Sequence, residues 1–394
     1  MSKVLIVYIV LFFSAVFSFN ILLRGEYFVR LSESFLSGKT YFLKQPGADW
    51  LDTTPYQGKY YSPHGPLPSI VLTPFVYVFK ALGVTFYQGY LQPFLVLGIF
   101  VLIYKIAKTV GYKKEDSLFF AFAFCFSSVF LGNAFWPHFI SHTLTTFFLF
   151  LLIYGYLKNF RPLWSGVLIG LSFLTRASTI GVVVFPILNI IFGGRDKRTV
   201  KYSKLIMLTT PVIVSLIFYF LYNWVRFQNI FESGYSSAIN LEVSLRSRDY
   251  GVMNLIHIPG NIYYFLLATP LPVFRDEISQ VLAFPFLKGN PWGMSLFVTS
   301  PIFFYLFFLT YKDKLSKIIL ITAFLISVPI FLFYGIGVRQ FGYRYSLDFL
   351  PFLFWLLIKN YKLGRDSLST GLKIVILVSA MINVHFFITT FLWA

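Results

Sequence analysis

The chain has one cysteine in 394 residues, Cys125, and it sits inside the apolar run AFAFCFSSVF. A lone thiol excludes a disulfide framework and any metal site built on several cysteinates, and this setting makes it a small packed hydrophobe. Charge is scarce as well: 12% of residues are Asp, Glu, Lys or Arg, against about a quarter in soluble domains. Acid is scarcer than base, with fifteen Asp and Glu against thirty-three Lys and Arg, and there are only five histidines. No internal repeat is evident. What the chain has in abundance is apolar length. Hydrophobic residues make up 57% of it, the mean hydropathy is +0.73, and many runs are long enough to cross a bilayer. The composition excludes a soluble domain and defines an all-α, polytopic membrane protein. The net charge of +18 does not indicate nucleic acid, because the basic residues gather in short clusters between apolar runs, where they set orientation and meet lipid headgroups.

The first apolar run, from Met1 through Leu23, continues past the length of a cleaved leader and is expected to remain as the first helix. Further runs fall at 86–104, 117–135, 139–157, 205–223, 294–311, 318–335, 346–358 and 373–392. Between them lie KIAKTVGYKKED, KNFRP, GGRDKRTVKYSK, YKDKLSK and KNYKLGRDSLSTGLK, short and basic, which the positive-inside rule places in the cytoplasm. Residues 163–192 connect two of these loops and must cross an even number of times, so two short helices meeting near Thr175 and Arg176 are expected. Parity makes Pro68–Leu82 a short helix lying in or dipping into the outer leaflet. The expected total is about eleven crossings, with the N-terminus inside and the C-terminus outside. The long polar segments, 24–67 and 224–293, then both lie outside, and ten of the fifteen acids fall in or beside outer segments.

The outer acids and cations are of the kinds that hold an anionic group such as a phosphate and take a proton from a hydroxyl. Glu26 follows the first helix, and Arg30 and Glu33 would share its face if GEYFVRLSESFL is helical. That pattern fits a catalytic base, or an ordinary ion pair on an interfacial helix. Asp52 is the rival base, but WLDTTPY also suits an Asx turn or helix cap in which Asp52 accepts neighbouring amides. In VRQFGYRYSLDFLPF, Arg339 and Arg344 precede a helix, a placement suited to an anionic headgroup or phosphate. The bland alternative is snorkelling, with Arg344 neutralised by Asp348 four residues on. Arg176, costly to bury in hydrocarbon, is expected to face a wet cavity. His138 and His142 stand one turn apart in WPHFISHTL, but with no third ligand apparent a metal is the minority reading, and no cofactor is expected.

The stretch WLDTTPYQGKYYSPHGPLPSIVLTPF, Trp50 to Phe75, carries Lys59, Tyr60, Tyr61 and His64. Its prolines suggest a segment kept rigid without regular backbone pairing, lining an outer cavity. Lys59 and His64, with Arg176, are candidates to meet phosphate, and Arg30, Tyr60, Tyr61 and His138 candidates to line the cavity. The tyrosines fit an interfacial aromatic belt equally well.

Taken in order, GEYFVRLSESFLSGK, YQGKYYSPHGPLPSIVLTPF, LSFLTRAS, NWVRFQNIFESGY, NPWGMSLFVTSP and FGYRYSLDFLP resemble the membrane glycosyltransferases of the GT-C superfamily. The likeness is to the bacterial relatives of protein O-mannosyltransferases and to aminoarabinose transferases. It implies a single transmembrane domain over 1–394 that moves a sugar, with inversion, from a polyprenyl-phosphate donor to an extracytoplasmic acceptor. Its implied partners are that donor, that acceptor and membrane lipids. The chain departs from the pattern at Gly25-Glu26, where many relatives carry two adjacent acids, and at Pro63-His64-Gly65, where some carry Glu-Lys. A lipid-linked glycan flippase or a non-catalytic lipid-binding protein is the competing reading.

Overall fold

The computed structural model describes residues 2–192 and 198–393. The first five residues of the basic segment GGRDKRTVKYSK, 193–197, lie outside the described residues.

The first apolar run forms α1, Ser2–Leu23. A left-handed turn at Arg24 and Gly25 leads into α2, Tyr27–Leu36, which is strongly two-faced, with Phe28, Val29 and Leu31 buried. The polar stretch that follows does pair its backbone, contrary to the sequence expectation. Strands β1, Thr54–Tyr56, and β2, Lys59–Tyr61, form an antiparallel hairpin. The turn residues Gln57 and Gly58 both have positive φ, 48° and 72°, the geometry whose twist matches a two-residue hairpin. The prolines sit at the strand edge and beyond the hairpin, where a missing N–H costs no ladder bond.

Helix α3, Leu67–Ala81, packs along α2 through Phe28, Val29, Leu72 and Val76, and the Ser32 hydroxyl donates to the Ser69 carbonyl at 2.8 Å. Then come α4, Gln92–Val110, α5, Lys114–Phe126, α6, Phe130–Phe135, and α7, Ile140–Leu157. Two short helices, α8, Pro162–Thr175, and α9, Val184–Phe192, meet through a 3-10 segment, Ala177–Val183, which leaves Arg176 at the junction as expected. Helix α10, Arg198–Phe227, leads to the second long polar segment, which holds α11, Glu242–Arg248, α12, Ile258–Leu266, and the hairpin of β3, Leu271–Phe274, with β4, Leu282–Lys288.

Strand β5, Trp292–Met294, then pairs in parallel with β6, Gln340–Gly342. Between them lie α13, Leu296–Thr299, a 3-10 segment, Pro301–Phe308, and α14, Lys314–Leu332. Helices α15, Leu350–Gly364, and α16, Thr370–Phe391, complete the described chain. Among the described residues, six helical stretches are long and apolar enough to cross a membrane, and three shorter apolar helices accompany them. The protein is thus helical and membrane-embedded, with three two-stranded pairs among the described residues, of which β5–β6 is buried in the core.

The core is aromatic: every residue from Phe119 to Phe126 is fully buried, and Phe124 meets the rings of Phe130, Phe150 and Phe354. Two apolar runs that read as continuous are broken here. One breaks at Ser127-Ser128, between α5 and α6, and the other at Ser300, after α13. The breaks face each other and satisfy one another's polar groups. The Val129 amide donates to Ser300 Oγ at 2.8 Å. The Asn383 amide of α16 donates to the carbonyls of Thr299 at 2.8 Å and Ser128 at 3.4 Å.

The two ends of the bundle differ in charge chemistry. At the end carrying the basic loops, Lys373 bridges Glu115 and Asp116 at 2.7 and 2.8 Å, and Lys359 pairs with Asp313 at 2.8 Å. Helix α15 separates Lys359 from Arg344, which lies just before its start at the other end.

Candidate functional site

The other end collects residues from five parts of the chain. At its centre the break between α8 and the 3-10 segment projects Arg176, whose Nε donates to both oxygens of Asp348 at 2.7 and 2.9 Å. Ser178 Oγ donates to the same carboxylate at 2.5 Å. Asp348 is fully buried. Asp348 therefore does not neutralise Arg344, as the snorkelling alternative had it. Residues Arg344–Asp348 form a 3-10 turn, with three residues per turn, so positions four apart do not align as they would on an α-helix.

Arg176 Nη1 lies 3.2 Å from His142 Nε2. A guanidinium can only donate, so Nε2 accepts and the imidazole proton is on Nδ1, which is buried without a partner. The His142 ring stacks on Tyr345. Because one partner of a buried ion pair cannot be removed without stranding the other charge, Asp348→Ala should destabilise the fold by about 3–5 kcal/mol. Thermal unfolding in detergent checks this, and an unchanged midpoint would contradict the pairing.

Released from Asp348, Arg344 has no carboxylate partner among the described residues. Its Nη1 donates to the Val338 carbonyl at 2.9 Å, its plane lies 4.3 Å from the Phe139 ring centre and 5.3 Å from that of Tyr345, and its Nε is buried and unbonded. Burial lowers its pKa from the usual value, with the Asp52 carboxylate acting in the opposite direction. The guanidinium is therefore a desolvated cation with donor capacity to spare. Arg339, with φ at 51°, is exposed on the same segment and makes no ion pair among the described residues.

The first polar segment supplies the acids. Glu26 occupies the position just before α2, where its side chain caps no helix amide but accepts from Arg30 on Oε2 at 2.5 Å, while Arg30 also reaches Glu33 at 3.3 Å. Its Oε1 has no hydrogen-bond partner among the described residues. The main chain beneath is locked. Gln88, fully buried, accepts the Phe28 amide on Oε1 at 3.1 Å and donates from Nε2 to the Pro137 carbonyl at 2.7 Å. It fills the space above Gly25: with φ at +76°, a Cβ there would come within 2.9 Å of Gln88 Cγ. Position 25, acidic in many of the enzymes that the sequence resembles, has no room for a side chain here. The ring of His138 lies against Trp136.

Asp52 neither caps a helix nor closes an Asx turn, since the hairpin follows it directly. Its φ is +59°. Its main chain is held from both sides, by the Tyr27 hydroxyl donating to its carbonyl at 2.6 Å and by its own amide donating to the Ile239 carbonyl at 2.9 Å. Its exposed carboxylate makes no hydrogen bond among the described residues. His64 is held at Nδ1 by the Tyr235 hydroxyl at 3.0 Å. Burial pushes its pKa down to about 4, the cations Arg176 and Arg344 add to the drop, and Asp52 opposes it. The imidazole is therefore neutral near pH 7.

Three sequence candidates are occupied elsewhere. Lys59 lies over the Tyr41 ring at 4.7 Å, Tyr60 stacks on Trp50 at 4.1 Å, and Tyr61 is buried against Phe227. All three serve the β1–β2 hairpin. His138 and His142 also part company, the first exposed beside Trp136 and the second buried under Arg176, so their spacing makes no metal pair. Among the described residues no three His, Cys, Asp or Glu side chains gather as metal ligands.

Sequence reasoning missed Gln88, Ser178, Tyr235 and Arg226. Arg226 is 2% exposed and sits in the quoted piece NWVRFQNIFESGY. Its Nη1 donates to the Ser62 carbonyl and its Nη2 to Asn223 at 2.6 Å, which fixes the segment bearing His64.

No family model matches the chain, and no curated protein matches it. Solved structures do. The oligosaccharyltransferase AglB of Archaeoglobus fulgidus, in complex with an inhibitory peptide and a dolichol-phosphate, aligns at TM-score 0.48 with 13% identity, over 96% of this chain and 55% of that one. The apo form of the A. fulgidus enzyme aligns at 0.46 with 13% identity, over 97% and 56%. The chain thus spans about half the length of the structures it matches.

Proposed function

We propose that the protein is an inverting glycosyltransferase that takes a sugar from a polyprenyl-phosphate donor on the extracytoplasmic side of the membrane. The observation that carries this reading is Arg344: a guanidinium with a buried Nε and no carboxylate partner among the described residues, at the end of the bundle away from the basic loops, with two acids on neighbouring elements. A guanidinium grips two phosphate oxygens at once and strengthens when water is excluded. Arg176, already neutralised by Asp348, serves instead to hold His142 and the wall of the site.

In the reaction, an acceptor hydroxyl attacks the sugar's anomeric carbon as the bond from that carbon to the phosphate oxygen breaks. The hydroxyl proton passes to a carboxylate, and the bonding pair leaves with the polyprenyl phosphate, whose charge Arg344 and Arg339 offset. Glu26 is the base in this reading. It stands on a locked junction, one oxygen is fixed by Arg30, and the other is free, which suits a group whose position must be held closely. Asp52 is the second reading, favoured by its wholly unbonded carboxylate.

The test is an assay of the purified protein against a panel of polyprenyl-phosphate sugars, following both donor loss and product. One donor should be consumed, with release of polyprenyl phosphate and an inverted linkage in the product. Failure of every donor to bind or react would overturn the proposal.

A further inference from the structure

The β3–β4 hairpin is apolar where a soluble hairpin would be polar. Phe274, Ile278, Val281, Leu282, Phe284 and Phe286 are between 43% and 94% exposed, a concentration that marks an interaction surface. Its location shows what covers that surface. The base of β4 runs beside the last turns of α16: His385 Nε2 meets the Leu287 carbonyl at 2.8 Å, the Gly289 amide donates to Thr389 Oγ1 at 3.1 Å, and the rings of Phe284 and Trp393 lie 5.3 Å apart.

Helix α16 is one of the membrane-length helices. Leu287 is level with His385, six residues before the helix ends at Phe391, which is about 9 Å inside that end at 1.5 Å per residue. The strand therefore enters the depth of the apolar span at its base and rises past Trp393 toward its tip. The backbone is equipped for this. The two strands pair with each other, and the carbonyl and amide facing α16 are taken by His385 and Thr389, as a low-dielectric setting requires. Of its charged residues only Lys288 stands at the base, exposed at the end of β4, where its long stem can carry the ammonium toward the interface. Arg275, Asp276 and Glu277 occupy the tip, where Asp276 accepts the amides of Ile278 and Ser279 at 3.0 and 2.6 Å.

We infer that the base of the β3–β4 hairpin is a membrane-embedded wedge whose Phe286 face rests on lipid acyl chains of the leaflet at the site end, with its charged tip in water. The site end thus has a strand, and not only helices, in contact with lipid.

The experiment uses the full chain carrying Cys125→Ala, with a single cysteine introduced at Phe286 or at Ile278, each labelled with a bimane fluorophore and reconstituted in phosphatidylcholine vesicles. Lipids brominated on the acyl chain should quench the label at 286 several-fold more than the label at 278, and aqueous iodide should show the reverse order. Both positions are exposed, so the labels do not disturb the core. Equal iodide quenching at the two positions would overturn the inference by placing the base in water. Protection of position 286 from both quenchers would overturn it by showing that protein covers this face.

Discussion

Glu26→Gln is expected to lower turnover about 10²- to 10⁴-fold, the usual loss when a positioned general base is removed, while leaving donor affinity nearly unchanged. The amide keeps the shape of the side chain and can still accept from Arg30, so the junction with α2 should hold. Only the capacity to take a proton disappears. Single-turnover rates with saturating donor, measured beside equilibrium binding of a donor analogue, separate the two effects. Asp52→Asn measured in parallel decides between the carboxylates. If Asp52→Asn is the inactive variant and Glu26→Gln keeps its rate, the base is Asp52, and the Glu26–Arg30–Glu33 set belongs to the packing of α2.

The second large effect falls on binding. Arg344→Ala removes a guanidinium at the site that lacks a carboxylate partner among the described residues, and should weaken donor binding by about 1.5–3 kcal/mol, the range for a hydrogen bond to a charged group. Arg344→Lys keeps the charge but not the two-pronged grip, so its loss should be smaller and still measurable. Equilibrium binding of a donor analogue to folded protein is the measurement. Unchanged affinity in Arg344→Ala would remove Arg344 from the site and leave it as a residue that stabilises the turn against Phe139.

These two variants rest on parts of the molecule that were legible in the sequence to different degrees. The spacing Glu26, Arg30, Glu33 gave one face of a helix, and the structure has that face. Arg176 between two short apolar helices was legible because parity forced an even number of segments between two basic loops. The partner of Asp348 was not, because an i+4 rule presumes an α-helix and this turn is 3-10. Nor were the helix breaks at Ser127-Ser128 and Ser300, since apolar residues on both sides hide two or three polar ones, and the compensating bonds come from distant segments. The hairpin after Asp52 did carry a signal in Gln57-Gly58, a pair able to take positive φ, but the surrounding prolines outweighed it. Gln88 could not have been read at all: its role depends on the space above Gly25, which exists only once the chain is folded.

The facing helix breaks also constrain the order in which the molecule can be built. The carbonyls of Ser128 and Thr299 are met by Asn383, which lies 255 and 84 residues later in the chain. Until α16 is in place, two interrupted helices hold unmet backbone groups in hydrocarbon, a costly state for either alone. During synthesis, α5–α6 and α13 must therefore wait, shielded by water, lipid headgroups or an insertion partner, and the aromatic core between them can close only after α16 arrives. Assembly of the site end is in this sense a late event that completes as a unit.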